Sequence, residues 1–259
     1  MRQASKTIVG HIMNALYLIL GGRNTAAIAG KELHTYFASP IAYIVAAMFL
    51  ALTGVFFVSS ISGAFPEATV RGFLEPSALF VIPVIAPILT MRLLAEEQKL
   101  GTLELLLTAP VRDYQVVIGK FLASFLILLG TLALTSYYIL LLAMFGDPDP
   151  GPLLSSYLGF VLYIAAALSV GMLASSLTSN QIVASVLGFG ILMIMVLLDQ
   201  ASDLVHGFAS TLLEEASLLA HYDDFSRGVI DTWNIIYFLT VTVVFLFLTV
   251  RALESRRWR

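Results

Sequence analysis

Long apolar runs separated by short polar breaks set the pattern of this chain. A membrane-spanning helix needs about 20 mostly apolar residues. Six stretches qualify: about Ile41 to Ile61, Ser77 to Leu94, Val116 to Phe145, Leu153 to Leu177, Ile182 to Leu198 and Trp233 to Ala252. The pattern predicts an all-α, polytopic membrane fold with six transmembrane helices. Pro83 and Pro87 fall inside the second stretch. Each removes a backbone donor and can kink a helix, so both are hinge candidates, with tolerated prolines as the plainer reading.

The polar breaks differ in kind. Gly146 to Pro152 is rich in helix breakers and reads as a tight turn. Thr178 to Gln181 is so short that spans four and five must form an antiparallel hairpin. Ala201 to Thr232 is long, with a helical pattern around Leu212, Leu213, Leu218 and Leu219 and with Glu214 and Glu215 on another face. It is expected to lie on, or dip into, the outer interface. Between spans two and three lies a charged, helix-prone island, Arg92 to Tyr114. Gly101 should end the preceding helix, and Thr102 is placed to N-cap a new one. Leu103 to Leu107 then make about one and a half turns. Pro110 closes the turn, because the residue before a proline avoids the helical region. Glu104 sits where a helix dipole favours negative charge. Two readings fit: leucines resting on lipid, or a short helix that docks a soluble partner.

Ahead of the first span, Lys31 to Ser39 reads as an interfacial lead-in helix. Lys31, Glu32 and His34 would face water, with Leu33, Tyr36 and Phe37 at headgroup level. Residues 1–30 are set apart as an N-terminal extension, leaving 31–259 as the transmembrane domain. Ile8 to Leu20 is apolar but short and broken by His11 and Asn14. An interfacial amphipathic segment, a disordered extension and a signal peptide all remain open for it. The last is weakened by the poor cleavage context at Gly21-Gly22-Arg23-Asn24.

Composition and charge sharpen this picture. The 259 residues are 59% hydrophobic and only 12% charged, with mean hydropathy +0.91; soluble domains carry about 25% charge. The net charge of -3 says little, because charges are sorted along the chain. Of the fourteen basic residues, all but Arg71 and Arg227 fall on one face of a six-span topology, and most acids fall on the other. The basic face is the cytoplasmic one, which puts both termini inside.

The candidate chemistry is sparse. With no cysteine there is no disulfide, thiolate metal site or cysteine nucleophile. Arg92, Lys120 and Asp199 sit at span ends, where they are expected to snorkel, and charge inside the spans is nearly absent. That argues against a proton- or ion-coupled transporter. Thr135, Ser136, Tyr137 and Tyr138 form a mildly polar patch that could line a path or simply pack. Ala167, Gly171 and Ser175 at four-residue steps, with Gly188 and Gly190, permit close helix contact. His11, His34, His206 and His221 have no metal-ligand spacing; a site joining His206, His221, Asp223 and Asp224 is the one conceivable grouping. Gly30-Lys31 and Gly119-Lys120 lack the remaining glycine and Ser/Thr of a phosphate loop. No catalytic, cofactor-binding or metal residue is assigned. The chain reads as a non-enzyme that must borrow its energy.

The string Ala95-Glu-Glu-Gln-Lys-Leu-Gly-Thr-Leu-Glu-Leu-Leu-Leu-Thr-Ala-Pro-Val111 resembles the coupling-helix signature of ABC-2-type transporter permeases, nearest to the gliding-motility and copper-processing types. Lys31 to Pro40, Gly119-Lys-Phe and Ala174 to Gln181 support it, and the likeness runs from about residue 30 to 259. The resemblance implies a permease subunit in the plasma (inner) membrane. It implies a separate ATP-binding subunit, which would hold the ATP and magnesium, and a second permease copy or paralogue. Docking would fall to Glu96, Glu97, Gly101, Thr102, Leu103, Glu104, Leu105, Leu106, Leu107, Thr108, Ala109 and Pro110. Export is the implied direction. Besides the lipid bilayer, an extracytoplasmic subunit is a further partner; no nucleic acid is implied. The alternatives are a subunit transmitting force to outside partners and an ATP-independent scaffold. An intramembrane enzyme would need a polar catalytic cluster in the spans, and the sequence supplies none.

Overall fold

The computed structural model describes residues 23–62, 69–102, 111–146, 148–202, 204 and 206–257. Among them there are no strands. Helix α1 (Arg23–Ala38) leads into α2 (Pro40–Ile61), the first span. Span two is composite: α3 (Arg71–Pro76), a wide π-type turn (Ser77–Val81) and α4 (Ile82–Lys99). Span three is α5 (Asp113–Leu134) followed by α6 (Ser136–Phe145). Spans four and five are α7 (Pro150–Leu177) and α8 (Gln181–Ser202). Helices α9 (Phe208–Ala216) and α10 (Leu218–Ser226) precede α11 (Thr232–Arg257), the sixth span. Among the described residues six helices are thus long and apolar enough to cross a bilayer, and the chain is a multi-pass membrane protein.

The ends of these helices follow from local chemistry. The Ser39 hydroxyl accepts from the Ile41 amide, with Pro40 in the first turn. Asp149 does the same for Gly151, with Pro150 after it. These are side-chain caps followed by a proline whose missing donor would have no partner anyway. In the four–five turn, the Asn180 side chain accepts from the Ile182 amide at 3.0 Å, so the expected hairpin is present.

Spans two, three and four form the buried centre, while spans one, five and six leave most of their surface outside the bundle. Ile82, Ile85, Ala86 and Leu89 of α4 meet Ala167, Leu168 and Val170 of α7 in the core. The small residues on α7 permit this contact. A Cβ on Gly171 would collide with Thr90 Oγ1. On α8, a Cβ at Gly188 would lie 3.1 Å from Pro87.

At Pro83 the backbone donor that proline removes is replaced from a neighbouring helix. In the wide turn the Ile82 amide reaches back to the Ser77 carbonyl. By the same step Pro83 would have served Ala78, and the Tyr163 hydroxyl donates to that carbonyl instead, at 2.7 Å. Helix α4 continues through Pro83 and Pro87, both buried, to Lys99. Span three breaks at Thr135, whose hydroxyl donates to Leu132 O at 2.6 Å and meets the Tyr157 hydroxyl at 2.8 Å. Tyr138 donates to the Leu50 carbonyl and stacks on Phe57. Thr135 and Tyr138 therefore pack, while Tyr137 stays exposed.

The long segment after span five divides in two. No residue of α9 is buried, whereas Leu218, Tyr222 and Phe225 of α10 are fully buried. Ser217 separates them and caps α10 by accepting from the Leu219 and Ala220 amides. Gly159 lets α10 approach, since a Cβ there would lie 2.5 Å from Phe225. Arg71 binds Glu75 at 2.7 Å and Asp223 at 2.9 Å, and Arg227 pairs with the same Asp223. The two basic residues set apart by the charge pattern thus meet on one carboxylate.

Candidate functional site

The end of the bundle that carries the 100–112 connection concentrates the polar chemistry. Helix α4 stops at Lys99, and Gly101 follows at φ +69°. Nothing lies within 4 Å of a Cβ built there, so the left-handed backbone, not space, calls for glycine. Thr102 resumes helical conformation, and its hydroxyl points back to the Glu97 carbonyl at 3.4 Å. The expected docking residues Leu103, Glu104, Leu105, Leu106, Leu107, Thr108, Ala109 and Pro110 lie outside the described residues. The chain re-enters at Val111. The Gln115 side chain then accepts from the Arg112 amide at 3.0 Å, opening α5.

Both feet of this connection are tied inward. Lys120, two turns into α5, is 2% exposed, and its ammonium binds Glu32 Oε1 and Glu97 Oε1, each at 2.8 Å. One cation thus links three elements: α1 through Glu32, the end of α4 through Glu97, and α5 through its own backbone. Isolated buried charge is prohibitively costly, so such groups are found paired. The arrangement corrects two expectations. Lys120 does not snorkel; Gly119 lets α1 lie so close that the lysine is roofed over. Glu32 does not face water but turns in toward α5. Glu97, half-buried, gives one oxygen to Lys120, and its second oxygen has no hydrogen-bond partner among the described residues. Glu96 remains partly exposed.

The Gly119 contact explains the geometry. A Cβ there would lie 2.9 Å from Ile28 and 3.0 Å from the Thr25 carbonyl. Ala26 and Ala29 are fully buried on the same face, and Asn24 donates to Gln115 at 3.4 Å. Residues 23–30 therefore pack against span three. Gly119-Lys120 lies in the middle of a helix, not in a phosphate-cradling loop, and its lysine is already paired.

The lead-in helix also grips span two. The Tyr36 hydroxyl donates to the Leu89 carbonyl at 2.8 Å. Arg92 lies over the Tyr36 ring at 5.3 Å and donates to Ser39 at 3.0 Å, a favourable cation–π geometry. Burial holds the Tyr36 hydroxyl well above the usual tyrosine range; nearby Glu32 pushes the same way and Arg92 opposes. On the other flank, the Ser175 hydroxyl enters the α4 ladder. It accepts from Leu94 N at 3.2 Å and Ala95 N at 3.1 Å, and donates to Met91 O at 2.9 Å. Gln98 donates to the Ser176 carbonyl at 3.0 Å. The end of span two is thereby stapled to the end of span four.

A match to the model for ABC-2 family transporter proteins covers residues 65–198, just over half of the chain, and includes the whole connection described here. The chain belongs to the ABC-2 transporter family. Among curated relatives it is similar to the probable multidrug ABC transporter permease YbhS of Escherichia coli K12, at 31% identity over 117 residues. That stretch is 45% of this chain and 30% of the relative. The probable multidrug ABC transporter permease YbhR of the same strain is 29% identical over 117 residues, again 45% of this chain and 31% of the relative. The chain spans under a third of the length of these curated relatives. Against the family frame, the polar staples gather where spans two, three and four meet the connection.

Lys120 and Glu32 escaped sequence reasoning as partners. A lysine just over one turn inside a predicted helix, preceded by glycine, was the available signal. The imagined metal grouping does not form. His221 stacks on Tyr237 at 3.7 Å and bonds the Ser217 carbonyl; Asp223 binds the arginines and Asp224 binds Asn234. Among the described residues no metal-binding cluster is present.

Proposed function

We propose that this chain is the transmembrane permease subunit of an ABC transporter, coupling ATP hydrolysis in a separate ATPase subunit to movement of a substrate. The ABC-2 family match carries the reading. The geometry supports it: a connection that is to receive a push needs feet fixed to load-bearing helices, and both feet here are. Export is the direction we infer, in line with the description of YbhS and YbhR as multidrug permeases. Docking would run through Glu96, Glu97 and Gly101 to Pro110, with a second permease copy or paralogue completing the pathway. Pro83 and Pro87 would let span two flex. Both termini would face the cytoplasm, with the chain in the plasma membrane.

The test is co-purification with candidate ABC ATPases. Leu105→Asp and Glu104→Lys should abolish capture or stimulation of ATP hydrolysis while membrane insertion persists. Wild-type behaviour of both variants overturns the docking reading. A second reading, force transmission to an outside partner, is favoured by helix α9, none of whose residues is buried. Removing Phe208–Ala216 would then abolish function without affecting ATPase capture.

A further inference from the structure

We infer that Lys120 is a positioning residue: it locks the docking connection to helix α1, so that the two move as one piece when an ATPase pushes. This deepens the docking reading and rests on it. The ammonium is bound by carboxylates from two directions, Glu97 at the foot of the connection and Glu32 on α1, each at 2.8 Å. Helix α1 in turn reaches span one with only Ser39 between Ala38 and Pro40. Displacement of Glu97 therefore has a route to span one that does not pass through the bilayer-embedded part of span two. The Tyr36 and Arg92 contacts close the loop back onto α4.

The choice of charge matters for such a linkage. Apolar surfaces resist separation through lost area but can slide over one another. A buried ion pair resists parting in every direction, because the separated charges stay in a medium of low effective dielectric. Two carboxylates on one ammonium extend that restraint to both arms. A pair retained only for packing would need one carboxylate, not two from different helices.

The test uses the absence of cysteine in the chain. Lys31→Cys and Thr102→Cys, both at exposed positions, give one spin label on α1 and one on the connection of the full-length protein in liposomes. Pulsed electron resonance should show a single narrow distance in the otherwise unchanged protein and in Lys120→Arg. The neutral triple variant Glu32→Gln, Lys120→Met, Glu97→Gln keeps similar volumes and buries no charge. Its distance should broaden into several populations while its helical content is retained. Should the triple variant fail to fold, Glu97→Gln alone should broaden the distribution too. With the ATPase bound, capture should persist in Glu32→Gln, which breaks the α1 arm alone, while stimulation drops about 5- to 150-fold, the span of an ordinary coupling free energy. A narrow distance in the neutral variants with full stimulation in Glu32→Gln overturns the proposal. If the unchanged protein captures no ATPase, the docking reading fails, and the label distances still report whether the lock exists.

Discussion

Ser175→Ala tests whether spans two and four are joined by polar contact or by shape alone. In the folded chain the Ser175 hydroxyl accepts two α4 amides, at 3.2 and 3.1 Å, and donates to the Met91 carbonyl at 2.9 Å. The serine is fully buried, so no water replaces what alanine removes. A typical hydrogen bond contributes about 0.5–1.5 kcal/mol net, and an orphaned buried group costs about 1–3 kcal/mol. The Leu94 and Ala95 amides can fall back on their own helix, to the carbonyls four residues earlier. That recovery limits the loss, and we expect about 1–3 kcal/mol for the substitution. Denaturant titration of the purified protein in detergent measures it. Hydrogen exchange read by mass spectrometry locates it, with Leu94 and Ala95 exchanging faster than the rest of α4. A loss under about 0.5 kcal/mol, the ordinary range of an inconsequential substitution, together with unchanged exchange, would refute the stapling argument.

Gly119→Val should detach α1 from α5, because a Cβ already lies 3.0 Å from the Thr25 carbonyl and a branched side chain adds more; overpacking of this kind costs about 1–3 kcal/mol, and proteolysis within residues 23–38 should rise. Lys120→Met leaves Glu32 and Glu97 facing each other with no cation, so it should cost about 3–5 kcal/mol by detergent denaturation, and adding Glu32→Gln and Glu97→Gln should recover most of that. Tyr36→Phe removes the bond to Leu89 and should cost about 0.5–1.5 kcal/mol at neutral pH. Because the folded Tyr36 pKa is raised, its contribution is full below the unfolded value of about 10 and fades as pH climbs above it. The phenylalanine variant should therefore lose less stability than the parent between neutral pH and alkaline pH, as thermal melts would show.

Much of the architecture was written in hydrophobic spacing. The six spans, the four–five hairpin and the role of Gly171 all follow from runs of apolar residues and from small residues four apart, which are local patterns. Gly101 was equally legible, since a left-handed residue after a helix advertises itself. What stayed hidden depended on tertiary contact. Lys120 looks like an interfacial lysine until α1 is laid over Gly119, and Glu32 looks solvated until that same contact turns it inward. Glu97 stood in a charged string that reads as docking surface, and its second tie, one oxygen on Lys120, shows only in three dimensions. The division of the Ala201–Thr232 segment into a surface helix and a buried one was half visible: its leucines showed helical spacing, but only the contact at Gly159 says which helix sinks.

The wide turn at Ser77–Val81 amounts to a register insertion in span two. An α-helical residue advances by about 100° around the axis, so the extra member offsets the face of α3 from the face of α4 by roughly that angle. Trimming the turn by a single residue would leave an unbroken rod, yet it would rotate Arg71 away from Asp223 and undo the meeting of Arg71 and Arg227 on that carboxylate. Length in this segment is thus under tighter geometric constraint than composition, and a deletion there should do more harm than most substitutions.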